Sequence, residues 1–136
     1  MSEIKSLWGE IPTSTDLPDL PNKILKEQGA WLTEATDGSL IGETMLSNSQ
    51  KQNFAATLRI KVPSLNSYVY NVVQISYPIN IYPVTVSNLT ETKSKVVCKD
   101  VEEYKQTLKQ ILSSDKVKAV ITALLAQVSA QAVVEV

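Results

Sequence analysis

The chain has 136 residues, a net charge of −1 and 43% hydrophobic residues, a composition typical of a globular domain and not of a disordered chain. Histidine is absent and Cys98 is the single cysteine, so the commonest acid–base group near neutral pH is missing and no disulfide can form within the chain. The near-zero net charge argues against a whole-protein electrostatic attraction to nucleic acid or anionic lipid.

Residues 1–20 are predicted to form an extended N-terminal arm, because prolines and polar residues interrupt any regular periodicity. Acidic residues and prolines also stand where a secretion signal would need a continuous apolar core, so a cytoplasmic location is expected. Trp8 lies beside Leu7 and Ile11 in this otherwise polar arm. A large aromatic side chain in such a setting indicates a hydrophobic anchor, either on the protein's own domain, which we favour, or on a partner.

A first helix is predicted over residues 21–35, because Pro21 suits the first turn of a helix and an apolar stripe follows at helical spacing. That stripe consists of Ile24, Leu25, Gln28, Trp31, Leu32 and Ala35. Gly38 supplies a left-handed cap after the last turn. Gly29 interrupts the pattern, and a glycine inside a helix indicates close packing against a sheet.

Strands are predicted next, over residues 39–47, 54–62, 67–77, 79–86 and 95–99. The second alternates apolar and polar side chains, as a strand with one buried and one wet face does. Its apolar set is Leu58, Ile60 and Val62. Both faces of the third strand carry apolar groups, so a central position is expected. Pro83 removes a backbone donor from the fourth, so that strand is expected either at an edge of the sheet, which we favour, or bulged at Pro83.

Two helices are predicted at the C-terminal end. Asp100 followed by Glu103 matches a capping box for a helix over residues 101–112. A second apolar stripe runs from Val117 to Val128, and the short joint allows either two helices at an angle or one kinked helix. The order of elements predicts a single α+β domain over residues 21–136, in which one N-terminal and two C-terminal helices pack on an antiparallel sheet of four to five strands.

No catalytic pattern is recognisable in the sequence. Cys98 has lysines nearby but no histidine to act as its base, and paired carboxylates gain a catalytic meaning only from their separation in space. The carboxylates considered are Glu34, Asp37, Glu43, Glu102 and Glu103. We therefore expect no catalytic residues, no cofactor and no metal site, and the protein is predicted not to be an enzyme.

Basic and aromatic residues on neighbouring strands form one candidate binding surface. Arg59 and Lys61 precede Tyr68 and Tyr70 in the next strand. If the four side chains share a face, the tyrosines could stack on nucleobases while the basic groups neutralise phosphate. The alternative is that the two tyrosines fill a face of the sheet that is covered by helices.

The C-terminal residues form another candidate surface. Residues 117–136 approach the length of a membrane span, but charged and amide side chains within them would be costly in hydrocarbon, so no membrane partner is expected. The closing AQAVVEV sequence, which includes Val133 and Val134, is apolar enough to favour burial in a homodimer interface.

The leading hypothesis is a small cytoplasmic interaction module of bacterial type, which acts through protein–protein contacts or self-association. Its candidate partner contacts are Trp8, Arg59, Lys61, Tyr68, Tyr70, Val133 and Val134. One alternative is an accessory nucleic-acid-binding protein that uses an exposed sheet face. A third hypothesis is a small-molecule-binding domain with a pocket between the sheet and the helices.

Overall fold

The computed structural model describes residues 6–13, 20–48, 53–92 and 94–132, which form a five-stranded sheet and three α-helices. The elements are α1 (Pro21–Ala35), β1 (Ile41–Asn48), β2 (Phe54–Val62), a short 3-10 turn (Pro63–Leu65), β3 (Tyr68–Tyr77), β4 (Val84–Asn88), β5 (Ser94–Cys98), α2 (Val101–Leu112) and α3 (Asp115–Ala132). This arrangement confirms the predicted α+β class. The C-terminal segment forms two separate helices, α2 and α3, and not the single kinked helix that the sequence also allowed.

The strands lie in the sheet in the order of the sequence, from β1 to β5, and each neighbouring pair is antiparallel. β3 holds the central position that its two apolar faces predicted. β4 lies between β3 and β5, so the edge position expected from Pro83 is wrong. Because Pro83 stands before Val84, the first residue of β4, its missing N–H lies outside the paired segment.

One face of the sheet and the apolar sides of the helices form the hydrophobic core. In β2 the side chains of Leu58, Ile60 and Val62 are 5%, 2% and 0% exposed, which confirms the predicted phase of this strand. The sheet residues Ala56, Val73, Ile75, Val84 and Val86 join the same cluster, together with residues from each helix. We call this the covered face of the sheet, and the opposite side the open face.

Local hydrogen bonds fix where the C-terminal helices begin. The Asp100 carboxylate accepts from the backbone N–H of Glu103 at 2.9 Å, as the capping box predicted. The Glu103 carboxylate in turn accepts from the N–H of Lys99 at 2.7 Å, one residue before the cap. Ser114 accepts from the N–H of Val117 at 3.2 Å and so caps the first turn of α3.

Candidate functional site

The N-terminal arm presents apolar side chains to solvent. Leu7, Trp8 and Ile11 are 96%, 82% and 63% exposed. The backbone N–H of Trp8 donates to the hydroxyl of Ser6 at 3.3 Å, a contact within the arm itself. The expectation that Trp8 docks on its own domain is therefore wrong, and its indole ring leaves a large apolar area in water.

The second tryptophan of the chain is also exposed. The buried residues of α1 are Pro21, Ile24, Leu25 and Gly29. Trp31 is 66% exposed and lies beside Glu27 and Glu34 on the outer side of the helix. The sequence predicts Trp31 as part of the apolar stripe of α1, and for this residue the prediction is wrong. Its ring does not lie on the side of the helix that packs against the sheet. Tryptophan is highly buried on average, so two exposed rings in one small chain are unusual.

The basic and aromatic candidates lie on opposite faces of the sheet. Arg59 pairs with Asn71 and Lys61 pairs with Val69, whereas the partners of Tyr70 and Tyr68 are Ile60 and Val62. Residues that face each other across an antiparallel pair share a face. The tyrosines are thus on the covered face, where Tyr70 packs against the core and Tyr68 is 47% exposed. The basic pair is on the open face.

Arg59 is engaged by a carboxylate of the neighbouring strand. Glu43 is its direct partner in the β1–β2 register. The Nε and Nη2 atoms of the guanidinium lie 2.6 and 2.5 Å from the same oxygen, Oε1 of Glu43. Both side chains are partly exposed, at 29% and 27%. The pair consumes part of the hydrogen-bonding capacity that a phosphate group would need.

The C-terminal helix buries one stripe and exposes the other. Val117 and Leu124 are 3% and 8% exposed and belong to the core cluster. The outer side carries small exposed residues, namely Ala119, Ala123, Ala126 and Ala130. The two predicted contacts Val133 and Val134 lie outside the described residues.

A groove separates α1 from α2, and we call it the helix groove. It has a volume of about 520 Å³. Its walls are Ile24, Glu27 and Gln28 from α1 and Lys105, Leu108, Lys109 and Leu112 from α2, with Ser113 at one end. Gln28 and Leu112 also line a smaller space of about 160 Å³ beneath it, which we call the inner cavity. The two spaces therefore share part of their walls.

The inner cavity is almost entirely apolar. The sheet contributes Leu58, Ile60 and Val72 to its wall, and the helices contribute Gly29, Leu32, Leu112, Val117 and Ile121. Gln28 is the polar residue in this lining. The sequence analysis raised a pocket between the sheet and the helices as its third hypothesis, but it named no lining residues. The shape of such a gap depends on how the helices pack on the sheet, and the hydrophobic period of each helix does not reveal it.

Buried phenol and thiol groups lie under the start of α2. The hydroxyl of Tyr104 donates to the carbonyl oxygen of Pro21 at 2.7 Å, and burial raises the pKa of this phenol far above its usual value. Burial also raises the pKa of Tyr82, with smaller contributions from Asp100 and Cys98. Cys98 itself is fully buried, and its thiol lies 3.5 Å from the hydroxyl of Thr107. The two phenols stay neutral near physiological pH, and all three side chains serve packing.

The remaining carboxylates are dispersed along the fold. Glu102 and Glu103 occupy the first turn of α2, where negative charge meets the positive end of the helix dipole. Across the described ranges, no three His, Cys, Asp or Glu residues are grouped so that they could hold a metal ion. Among the helices that the structure describes, none is long and apolar enough to cross a membrane.

Comparisons with protein-family models, with curated proteins and with solved structures find no match to this chain. The fold defines the class of the protein: the described residues form an α+β domain with a five-stranded antiparallel meander covered on one face by helices.

Proposed function

We propose that this protein is a non-catalytic interaction module that acts through protein–protein contacts, and that Trp8 and Trp31 belong to its contact surface. The observation that carries the proposal is the exposure of both tryptophans, 82% for Trp8 and 66% for Trp31. Tryptophan is enriched among the residues that dominate interface energies. A partner that covered these rings would remove their apolar area from water, which is the main driving force of association.

A second copy of the chain, in the cytoplasm, is the partner that we put forward. The exposed side of α3 supports this choice, because Ala119, Ala123, Ala126 and Ala130 recur at alternating four- and three-residue spacing. Small side chains at that spacing let two helices approach closely along a seam. In the proposed homodimer this side of α3 crosses its symmetry mate, and Trp8 is covered at the same interface.

Light scattering after size exclusion tests the homodimer. We expect a mass of twice the 15.0 kDa of the monomer at micromolar concentration. Trp8→Ala should shift the mass toward the monomer, whereas Ile79→Ala, which removes a similarly exposed side chain from the β3–β4 turn, should leave it unchanged. Truncation after Gln127 is a second check, and an unchanged dimer after truncation would remove the end of α3 from the interface.

A photo-crosslinking residue tests the wider proposal in cells. Placed at position 8 or 31, it should give a discrete protein adduct, and placed at position 61 on the open face it should give none. A monomer in solution together with equal labelling at all three positions would overturn the proposed contact role of the tryptophans.

Nucleic-acid binding stays the alternative proposal. What supports it is the basic pair Arg59 and Lys61 on the open face, but Arg59 already binds Glu43 and the tyrosines lie on the other side of the sheet. A titration with single-stranded oligonucleotides at low and moderate salt separates the two proposals. Binding driven by phosphate contacts weakens steeply as salt rises, whereas apolar association between proteins does not.

A further inference from the structure

We propose that the helix groove and the inner cavity together form a binding site for a small organic anion with a benzene-sized apolar end. The apolar end would occupy the inner cavity, and the carboxylate would lie in the groove against α2. This assigns a ligand site that is separate from the protein contacts proposed above, since neither Trp8 nor Trp31 lines either space.

The size and lining of the inner cavity define the apolar end. Its volume of about 160 Å³ is close to the ~150 Å³ of an engineered apolar cavity in another protein that binds benzene. Leu58, Ile60 and Val72 form its floor and are 5%, 2% and 2% exposed, so a group placed there would be shielded from water. A space of this kind offers dispersion contacts to an apolar ring and little to a polar group.

The charges at the rim define the head group. Lys105 and Lys109 lie four residues apart, so they project from the same side of α2 into the groove. Within the described ranges, neither ammonium group has an ion-pair or hydrogen-bond partner. Glu27 stands on the opposite wall, which leaves a net positive charge in the groove, concentrated along α2. A carboxylate can therefore pair with the lysines while its apolar end passes Gln28 and Leu112 into the cavity.

The path from rim to floor favours a small molecule over a protein segment. The two spaces share Gln28 and Leu112 as wall residues. In the proposed site the ligand reaches the cavity past these side chains. A ring linked to a carboxylate through one or two methylene groups meets this requirement. Such a ligand buries its ring and keeps its charged head partly hydrated, which avoids the cost of a desolvated carboxylate.

Methyl NMR with phenylacetate as the probe tests the site. Titration up to about 10 mM, well above a millimolar dissociation constant, should shift the methyl signals of Leu58, Ile60, Val72 and Ile121. Phenylacetamide, which has the same ring without the charge, should bind about tenfold more weakly. Unshifted cavity methyls at the highest concentration would overturn the site, and equal binding of the acid and the amide would overturn the assignment of the head group.

Matched variants separate the role of the lysines from an effect of net charge. The double variant Lys105→Gln/Lys109→Gln should weaken phenylacetate binding about tenfold and leave phenylacetamide binding unchanged. The control Lys95→Gln/Lys116→Gln makes the same change in charge outside the groove and should bind both probes as the parent does. Filling the cavity with Ile121→Phe should abolish binding of both probes. Equal loss in the two lysine variants would contradict the proposed contact.

Discussion

Gly29 of α1 and Gly42 of β1 lie backbone against backbone, and each occupies space that a side chain on the other would need. A Cβ atom built on Gly29 would stand 2.6 Å from the carbonyl oxygen of Gly42, closer than real Cβ contacts allow. Thr33 reinforces the crossing, because its hydroxyl accepts from the N–H of Gly42 at 2.9 Å and donates to the carbonyl oxygen of Gly29 at 3.1 Å. The crossing fixes the height of α1 above the sheet and so shapes one wall of the helix groove.

Gly29→Ala tests this crossing. Alanine gains about 1 kcal/mol of helix propensity over glycine, but the clash with the Gly42 backbone should cost roughly 1–3 kcal/mol and outweigh that gain. We therefore expect a net loss of stability in urea unfolding. The control Ala30→Gly makes the opposite exchange at the next, exposed position and should cost about 1 kcal/mol through propensity alone. A Gly29→Ala variant more stable than the parent would contradict the close approach.

The sequence predicted the elements of this fold well, because each carries a strong local signal. Pro21 and the helical period gave the bounds of α1, and the Asp100 cap gave the start of α2. The position of β4 in the sheet is predicted wrongly because the expected strand, residues 79–86, includes Pro83. In the structure β4 begins at Val84, the residue after this proline. Local sequence patterns thus locate the helices and strands. The boundary of one strand, which is uncertain by one or two residues, decided whether Pro83 argued for an edge position.

The sequence could not predict whether the basic and aromatic residues of the candidate nucleic-acid surface share a face. The answer depends on one irregularity in the pairing of β2 with β3. Pairing runs from Leu58 with Val73 to Arg59 with Asn71, so Val72 is an extra residue in β3. Without it, Arg59 would face Val72 and Lys61 would face Tyr70, which would bring the basic and aromatic groups onto one face. The bulge reverses this arrangement, and a shift of one residue exchanges the two faces of a strand.

The two faces of β2 should respond differently to the same substitution. Leu58→Asp places an unpaired charge in the core and should cost several kcal/mol. Lys61→Asp, on the open face, should cost roughly 0.5 kcal/mol or less. Thermal unfolding of the two variants checks the prediction, and equal losses would mean that the assigned faces are wrong.

Two buried tyrosine hydroxyls should differ in their contribution to the stability of the fold. Tyr104→Phe removes the hydrogen bond to the carbonyl oxygen of Pro21 and should destabilise the fold by about 1 kcal/mol. The hydroxyl of Tyr82 is buried and has no hydrogen-bond partner among the described residues, so Tyr82→Phe should be neutral or stabilising. Urea midpoints for the two variants provide the comparison. A larger loss in Tyr82→Phe would show that its hydroxyl has a partner.

The same phenols should make the fold sensitive to alkaline pH. Burial raises the pKa of Tyr104 and Tyr82 above the value of 10.0 expected for an unfolded chain. Above that pH the unfolded chain loses these protons while the folded chain keeps them, so the unfolded state is favoured progressively as pH rises. The contribution of the two neutral phenols to the free energy of unfolding is fully present below pH 10.0 and declines above it. Urea midpoints measured from neutral pH upward should fall beyond this point, and less steeply in Tyr104→Phe, which cannot ionise there. An identical alkaline slope in that variant and the parent would exclude Tyr104 as a source of the effect.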